Sequence, residues 1–327
     1  NFDKKSLWME RFDQTRMVYL STINCETKFI KWTEIEMGED HFPLMNLDGC
    51  FMNDKVYFFG GMNSFLMPCS ALIEFNPSLN SWHLKSSHIP ARMTNVNGKC
   101  YICFGFNNKN EYFSDLWEFD GNNWKNIDLS EEIHLAFHTT VCHENKLIVF
   151  GGKNENGISK EMLIIDPSNG NIKHIQSKDS PIGRYNHSSV YFDNKMVIIG
   201  GETNEKVVGD IFVYDFIQNS WKKIESIASK PRIYHKTVLL KNYIFIIGGV
   251  DNDTDNDRLD NECIDPLAWE KIQFNEFGNS PFGNSKFAIA ATSKTSAITY
   301  GGIDSITKMP LASSWLFDIK DGFNNKY

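Results

Sequence analysis

Lys195–Gly201 reads KMVIIGG: four apolar residues, three of them β-branched, running straight into two glycines. A β-branched run of that length forms a strand rather than a helix. Glycines at its end permit positive φ or a close backbone approach. The pattern recurs as FFGG (Gly60, Gly61), VFGG (Gly151, Gly152), IIGG (Gly248, Gly249) and TYGG (Gly301, Gly302), beside the IIGG of Gly200 and Gly201. A degenerate copy, CFGF, supplies Gly105. With Gly105 counted as a first glycine, the steps are 45, 46, 49, 48 and 53 residues. A repeat of this length is one supersecondary unit that cannot bury its faces alone, so the units must pack on one another.

Each unit has the same grammar. A first strand precedes a polar turn, as in SSVYFDNK from Ser188. The second strand runs into the glycines, and a polar loop follows. A third strand ends in aromatic–acidic pairs: IEFN at Ile73, WEFD at Trp117, VYDF at Val213 and WLFDI at Trp315. The fourth strand opens on Trp82, Trp124, Trp221 or Trp269, which fall 22, 19, 21 and 21 residues after their first glycines; Ile172 fills that slot after Gly151. Such a tryptophan buries a large flat surface against the neighbouring unit.

Four strands per unit and six glycine sites predict an all-β chain. The expected fold is a six-bladed β-propeller of four-stranded antiparallel blades, built on Gly60, Gly105, Gly151, Gly200, Gly248 and Gly301 as one domain over residues 1–327. The stretch MVYLSTINCETKFIKWTEIE looks like a third and a fourth strand, with Trp32 in the tryptophan slot, whereas the last unit stops at WLFDI. The Trp32 strand is therefore expected to complete the final blade and close the ring by pairing the N- and C-terminal segments. That makes the strand near Met17–Ile23 surplus, either an extra outer strand or an edge cover. Residues 1–16 read as an extension.

Arginines precede three first strands, in Pro90-Ala91-Arg92, Pro181-Ile182-Gly183-Arg184 and Pro231-Arg232. Two continue as Arg-x-x-His, through Tyr185 to His187 and through Tyr234 to His235, and His138 holds the same slot in a third unit. With the glycine doublets and in-phase tryptophans, these runs make the chain resemble the kelch repeat family from about Met17 to Ile319. The resemblance implies a protein-interaction module that is not itself an enzyme. In relatives of this kind, arginines at the corresponding turn bind acidic peptide segments. Similar units occur in ubiquitin-ligase adaptors, in cell-polarity and small-GTPase effectors, and in protein phosphatases with an N-terminal kelch domain. Some kelch-like propellers are enzymes (copper oxidases, sugar mutarotases, iron-dependent specifier proteins), so a small-molecule site in the central funnel is the rival reading.

The totals narrow the field. A net charge of −8 and a pI near 5.6 argue against a nucleic-acid backbone binder. No apolar run is long enough to span a membrane. The opening NFDKKSLWME lacks the apolar core of a signal peptide. A start at Asn1 rather than Met suggests an excerpt of a longer protein. Seven scattered cysteines read as reduced, buried thiols of a cytoplasmic or nuclear protein. A monomeric domain without cofactor is expected.

Candidate sites follow from phase within the repeat. Arg92, Arg184 and Arg232 at matching positions would ring one end of the funnel and suit carboxylates or phosphates, with Tyr185 and Tyr234 beside them; the alternative is that they tie loop carbonyls within the blades. The loops after the glycines diverge as a recognition surface does, and Phe65, Tyr112 and Phe113 sit on two of them. Cys100 and Cys103 form a C-x-x-C, but on a strand residues i and i+3 face opposite sides, so no zinc or other metal is expected there. Asp251, Asp253, Asp255, Asp257 and Glu262 mimic calcium-loop spacing, with Asn256 where glycine belongs and strands as flanks.

Overall fold

The computed structural model describes residues 28–37, 42–65, 67–69, 71–86, 92–107, 109, 111–251, 260–278, 281, 285–304 and 307–320. The expected strand near Met17–Ile23 and the 1–16 extension lie outside them.

The second strand of each unit is buried almost throughout, as in Lys195–Glu202. A middle strand with blades packed on both faces has no wet side, so its sequence is a continuous apolar run rather than an alternating one. Antiparallel pairing then gives one blade per repeat. Blade 1 is Met45–Met52, Lys55–Met62, Ala71–Asn76 and Ser81–Ser86; blade 2 is Arg92–Val96, Lys99–Phe106, Tyr112–Phe119 and Trp124–Ile127. Blade 3 is Thr139–His143, Lys146–Phe150, Met162–Asp166 and Asn171–Ile175; blade 4 is Ser188–Phe192, Lys195–Glu202, Val207–Asp215 and Ser220–Lys223. Blade 5 is Lys236–Leu240, Tyr243–Ile247, Glu262–Asp265 and Glu270–Lys271.

Blade 6 takes Ala288–Ala291, Ser296–Tyr300 and Ser314–Lys320, and its fourth strand is Lys28–Glu34 from the other end of the chain. Trp32 stands opposite Phe317, as Trp82 stands opposite Phe75 and Trp221 opposite Tyr214. The closure expected from the tryptophan slot is thus the one observed. A fifth strand, Phe274–Phe277, runs parallel to Lys28–Glu34 on its outer side. It comes from the connection between blades 5 and 6, not from the N-terminal segment. First strands of successive blades touch one another all the way round, so they line a central channel. Among the described residues six apolar clusters lie one at each blade junction.

Four sequence expectations are corrected. In CFGF the first-glycine slot belongs to Phe104, whose φ of 60° matches Gly151 and Gly200, while Gly105 is the second glycine. Trp269 lies in the turn before Glu270–Lys271, with φ 55°, rather than on the fourth strand. Cys50 and Cys100 form a disulfide between blades 1 and 2, so these two are not free thiols. The register also places Arg92 opposite Cys103, as Ser188 is opposite Ile199. Arg92 is therefore four residues out of phase with Arg184, although proline precedes both. The C-x-x-C falls as its strand reading required: Cys100 joins the core between blades 1 and 2, and Cys103 the core between blades 2 and 3.

Candidate functional site: the channel mouth

The glycine doublets and the Arg-x-x-His runs are two halves of one joint. A Cβ on Gly151 would lie 2.5 Å from the Arg184 carbonyl and 2.9 Å from the His187 ring. On Gly200 it would lie 2.9 Å from the Arg232 carbonyl and 3.0 Å from the His235 ring. The second glycine then donates to the next blade: Gly152 N to Arg184 O at 2.8 Å, and Gly201 N to Arg232 O at 3.0 Å. The first glycine is small because the next blade's entry segment packs on it, and the second because its own blade's entry segment does, as Ala136 O lies 2.7 Å from a Cβ on Gly152.

Both arginines are fully buried. Arg184 Nη1 donates to Asp210 Oδ1 at 2.5 Å and to the Gly200 carbonyl at 3.0 Å, and Nη2 reaches Asp210 Oδ2 at 3.3 Å. Arg232 donates to Glu262, and to the carbonyls of Gly248 and Asp260 at 3.0 and 3.1 Å. Burial pushes the Glu262 carboxyl up, but Lys271, Arg232 and the Lys230 N–H outweigh it and hold the group below its ordinary value. Glu262 would be the last ligand of the calcium loop. It is instead the buried counter-ion of Arg232 and Lys271. Residues 252–259 of that loop lie outside the described ones.

The histidines tie blades together. Thr139 Oγ1 is 2.8 Å from His187 Nε2, and Ser188 Oγ is 2.7 Å from His235 Nε2. The second spacing suits a nucleophile and its base. Burial, and then the Arg232 charge, depress His235 to about 3, so its ring has little affinity for a serine proton. The same tie recurring at the previous junction fits an architectural role. Deeper in the channel, Lys236 Nζ crosses from blade 5 to Asp48 Oδ1 of blade 1 at 2.9 Å, bypassing blade 6.

Above that pair opens a cavity at the channel mouth. Its rim is a belt of left-handed residues one place before the histidine slot: Asn46, Phe137, Asn186, Tyr234 and Lys286, with φ between 53° and 60°. Four of the five belt N–H groups donate to the belt carbonyl of the preceding blade: Asn186 to Phe137, Tyr234 to Asn186 and Lys286 to Tyr234 at 3.2 Å, and Asn46 to Lys286 at 2.6 Å. Positive φ turns each side chain out of the strand path, and these five line the cavity. Met62, Pro68 and Phe106 complete its upper wall.

Aromatic rings run along the rim. Tyr112 and Phe106 have centroids 6.5 Å apart, Phe106 and Phe137 4.8 Å, and Phe137 and Tyr185 6.1 Å. Lys153 Nζ lies 5.4 Å from the Tyr185 centroid and Lys286 Nζ 4.7 Å from that of Tyr234. Burial, helped by the Glu202 carboxylate, pushes the Tyr185 phenol well up. The structure therefore gathers Tyr112, Tyr185 and Tyr234 at one mouth. Phe113 stands half-buried opposite Gly105. Phe65 is 85% exposed on the blade 1 loop. Phe106 and Phe137 were missed, although Phe137 precedes His138 as Tyr234 precedes His235.

A second missed signal shapes the loops. Asn63, Asn107, Asn154, Thr203, Asp251 and Asp304 each lie three residues after the first-glycine slot. Five of these side chains accept backbone N–H groups of their own loop: Asn63 from Phe65 and Met67, Asn107 from Lys109 and Glu111, Asn154 from Asn156, Thr203 from Glu205 and Lys206, and Asp304 from Thr307. Asx and Ser/Thr turns of this type fix a loop's course while leaving its tip free to vary.

A closed ring with rigid, divergent loops around a walled mouth defines a six-bladed propeller, a fold that commonly mediates protein–protein interaction. Residues 137–322 match the family model described as the KLHDC2/KLHL20/DRC7 Kelch-repeats domain. The chain belongs to that kelch-repeat family. Among solved structures, it is similar to "Structure of YjhT", with 17% identity over 87% of this chain and 99% of that one and a TM-score of 0.69, a likeness of fold. No curated protein matches the chain at a significant level.

Proposed function

We propose that this propeller is a non-enzymatic module that binds a segment of a partner protein at the channel mouth. The carrying observation is the concave site walled by Met62, Phe106, Phe137, Tyr234 and Lys286. A concave, mainly apolar site with a few polar groups on a hydrogen-bonded frame is the usual form of a binding pocket. Tyrosine and phenylalanine supply contact area at low entropic cost, which is why they recur at interfaces. Arg184, Arg232, His187 and His235 are engaged in holding the ring, which favours binding over funnel chemistry.

Preference for an acidic or phosphorylated segment cannot rest on Arg184 and Arg232, whose forks are occupied within their own blades. Lys153 and Lys286 bring positive charge to the mouth, each against a tyrosine ring. Peptides selected from a displayed random library on the wild-type protein should bind at least about tenfold more weakly to Phe137→Ala and Tyr234→Ala. Equal binding to both variants, with their folds intact, would place the site elsewhere.

A further inference from the structure

The belt side chains differ in what they still lack. Four belt N–H groups are spent on the preceding blade, so an occupant of the mouth meets side chains there. Lys286 is held against the Tyr234 ring, and the Lys236–Asp48 pair closes the floor without net charge. The two carboxamides are less well served. Asn186 is 3% exposed, and its Nδ2 is buried with no hydrogen-bond acceptor. Burial, then the Glu202 carboxylate, push the Tyr234 phenol up, and the nearby Asn186 amide opposes them without closing a hydrogen bond. Among the described residues, the exposed Asn46 gives its Nδ2 to Met62 Sδ at 3.5 Å, and a thioether is a weak acceptor. Both carboxamides line the cavity, on opposite sides of it: blade 1 lies three places from blade 4 either way round a ring of six.

An amide donor buried without an acceptor costs stability, and an entering acceptor recovers it. Half a turn about χ2 exchanges the nitrogen and oxygen of an asparagine, so either can be turned to the cavity. A carboxamide can pair both of its ends at once with the N–H and C=O of a single extended residue. In an extended chain each residue turns these two groups to one side, the next residue turns them to the other, and side chains alternate up and down. Two opposed carboxamides therefore match two consecutive residues of a chain lying between them. A side chain adjoining them points down to the wall of Met62, Phe106 and Phe137. The backbone groups read in this way are neutral, so the contact calls for no charge on the partner.

We propose that the partner segment crosses the mouth as an extended chain, read through its backbone by Asn46 and Asn186, with one side chain turned down into the cavity. This rests on the mouth being the partner site. It adds how the occupant lies and which of its atoms are read.

The probe is the tightest peptide from the displayed library, made with acetylated and amidated ends and read by fluorescence anisotropy. Each backbone amide in turn is replaced by an ester, which removes one N–H and weakens the carbonyl before it. Esters at two consecutive internal residues should each weaken binding to the wild type about tenfold. Asn186→Gly should also weaken binding about tenfold and make it insensitive to one of these esters; Asn46→Gly should do the same for the other. Glycine keeps the left-handed backbone at both positions. Asn46 is exposed, so its variant carries the test even if Asn186→Gly unfolds. An ester scan without effect, ester losses that simply add to those of the variants, or binding lost on capping the ends overturns the proposal. If such peptides still depend on Phe137 and Tyr234, the mouth reading survives that failure; if they do not, or if no peptide is selected, both fall.

Discussion

Arg184 and Arg232 show why residue type and spacing did not reveal role. A guanidinium suits a foreign carboxylate and a resident one equally well, and only burial separates the two. Both side chains are fully buried against carboxylates of their own blade. Breaking such a pair leaves a charge without its partner, at a cost of about 3–5 kcal/mol. Arg184→Ala should be the worse, because Glu262 keeps Lys271 as a counter-ion, whereas Asp210, its side chain 23% exposed, is left with the water it can recruit. Arg184→Lys should recover little, since an ammonium cannot reproduce the two-pronged contact. Urea denaturation checks the order; unchanged midpoints would return both arginines to the list of binding residues. Phe104 poses the opposite problem. Its left-handed backbone costs roughly 1–2 kcal/mol that glycine would save, but its buried ring is worth about 3–5 kcal/mol. Phe104→Gly should therefore destabilise the protein, whereas Gly151→Ala should do so by collision with the Arg184 carbonyl. CFGF was misread by one place because a phenylalanine at a glycine position is visible only from φ.

At the scale of elements, the strand Lys28–Glu34 carries the ring's closure. It is held on both sides, antiparallel by Ser314–Lys320 and parallel by Phe274–Phe277. Trp32 packs edge-on against Phe317 with centroids 4.8 Å apart, and its Nε1 donates to Glu276 at 3.2 Å. Gly278 lies so close to the Trp32 carbonyl that a Cβ there would collide with it. Trp32→Ala should cost about 3–5 kcal/mol, and removal of residues 1–35 should open the ring. A truncated protein that melts as the intact one does would contradict this. The tryptophan slot made this strand legible, since its phase matched Trp82 and Trp221. The fifth strand was not legible: FNEF carries no repeat phase, and its pairing is set by the strand it covers. Blade 2 departs most from the repeat, and its junction with blade 1 carries the Cys50–Cys100 disulfide. Replacing both cysteines by alanine should lower stability by about 2–4 kcal/mol under oxidising conditions and by less in reductant, where only the packing of two buried sulfurs is lost.

For the whole molecule, the ring is a set of junctions in series, so a group that loosens one junction acts on all. Architecture was legible because period and apolar runs report packing directly. The mouth was only half legible, because its belt is defined by φ and by hydrogen bonds between blades, which leave no residue type behind: Asn46, Phe137, Asn186, Tyr234 and Lys286 share a backbone and nothing else. Titration offers a test of the ring as a whole. His235 joins blade 4 to blade 5 and is depressed from 6.5 to about 3 by burial, then by Arg232. The unfolded chain takes up this proton near 6.5, while the folded one refuses it until about 3. Between those values the unfolded state binds more protons, so stability falls as pH falls; above the window His235 contributes no slope. The slope reaches at most about 1.4 kcal/mol per pH unit for this one group. Below about 4.5 the depressed carboxyls Glu74, Glu118 and Glu262 add losses of the same sign, so the histidine is best isolated above that point. His235→Gln keeps an acceptor for Ser188 and removes the titration. Between about pH 7.5 and about pH 5 the variant should lose less stability than the wild type in denaturant titrations, even if it starts lower. Parallel curves would mean that His235 takes its proton in the folded ring as readily as in the open chain, and that the blade 4–blade 5 tie is not the buried, neutral contact described above.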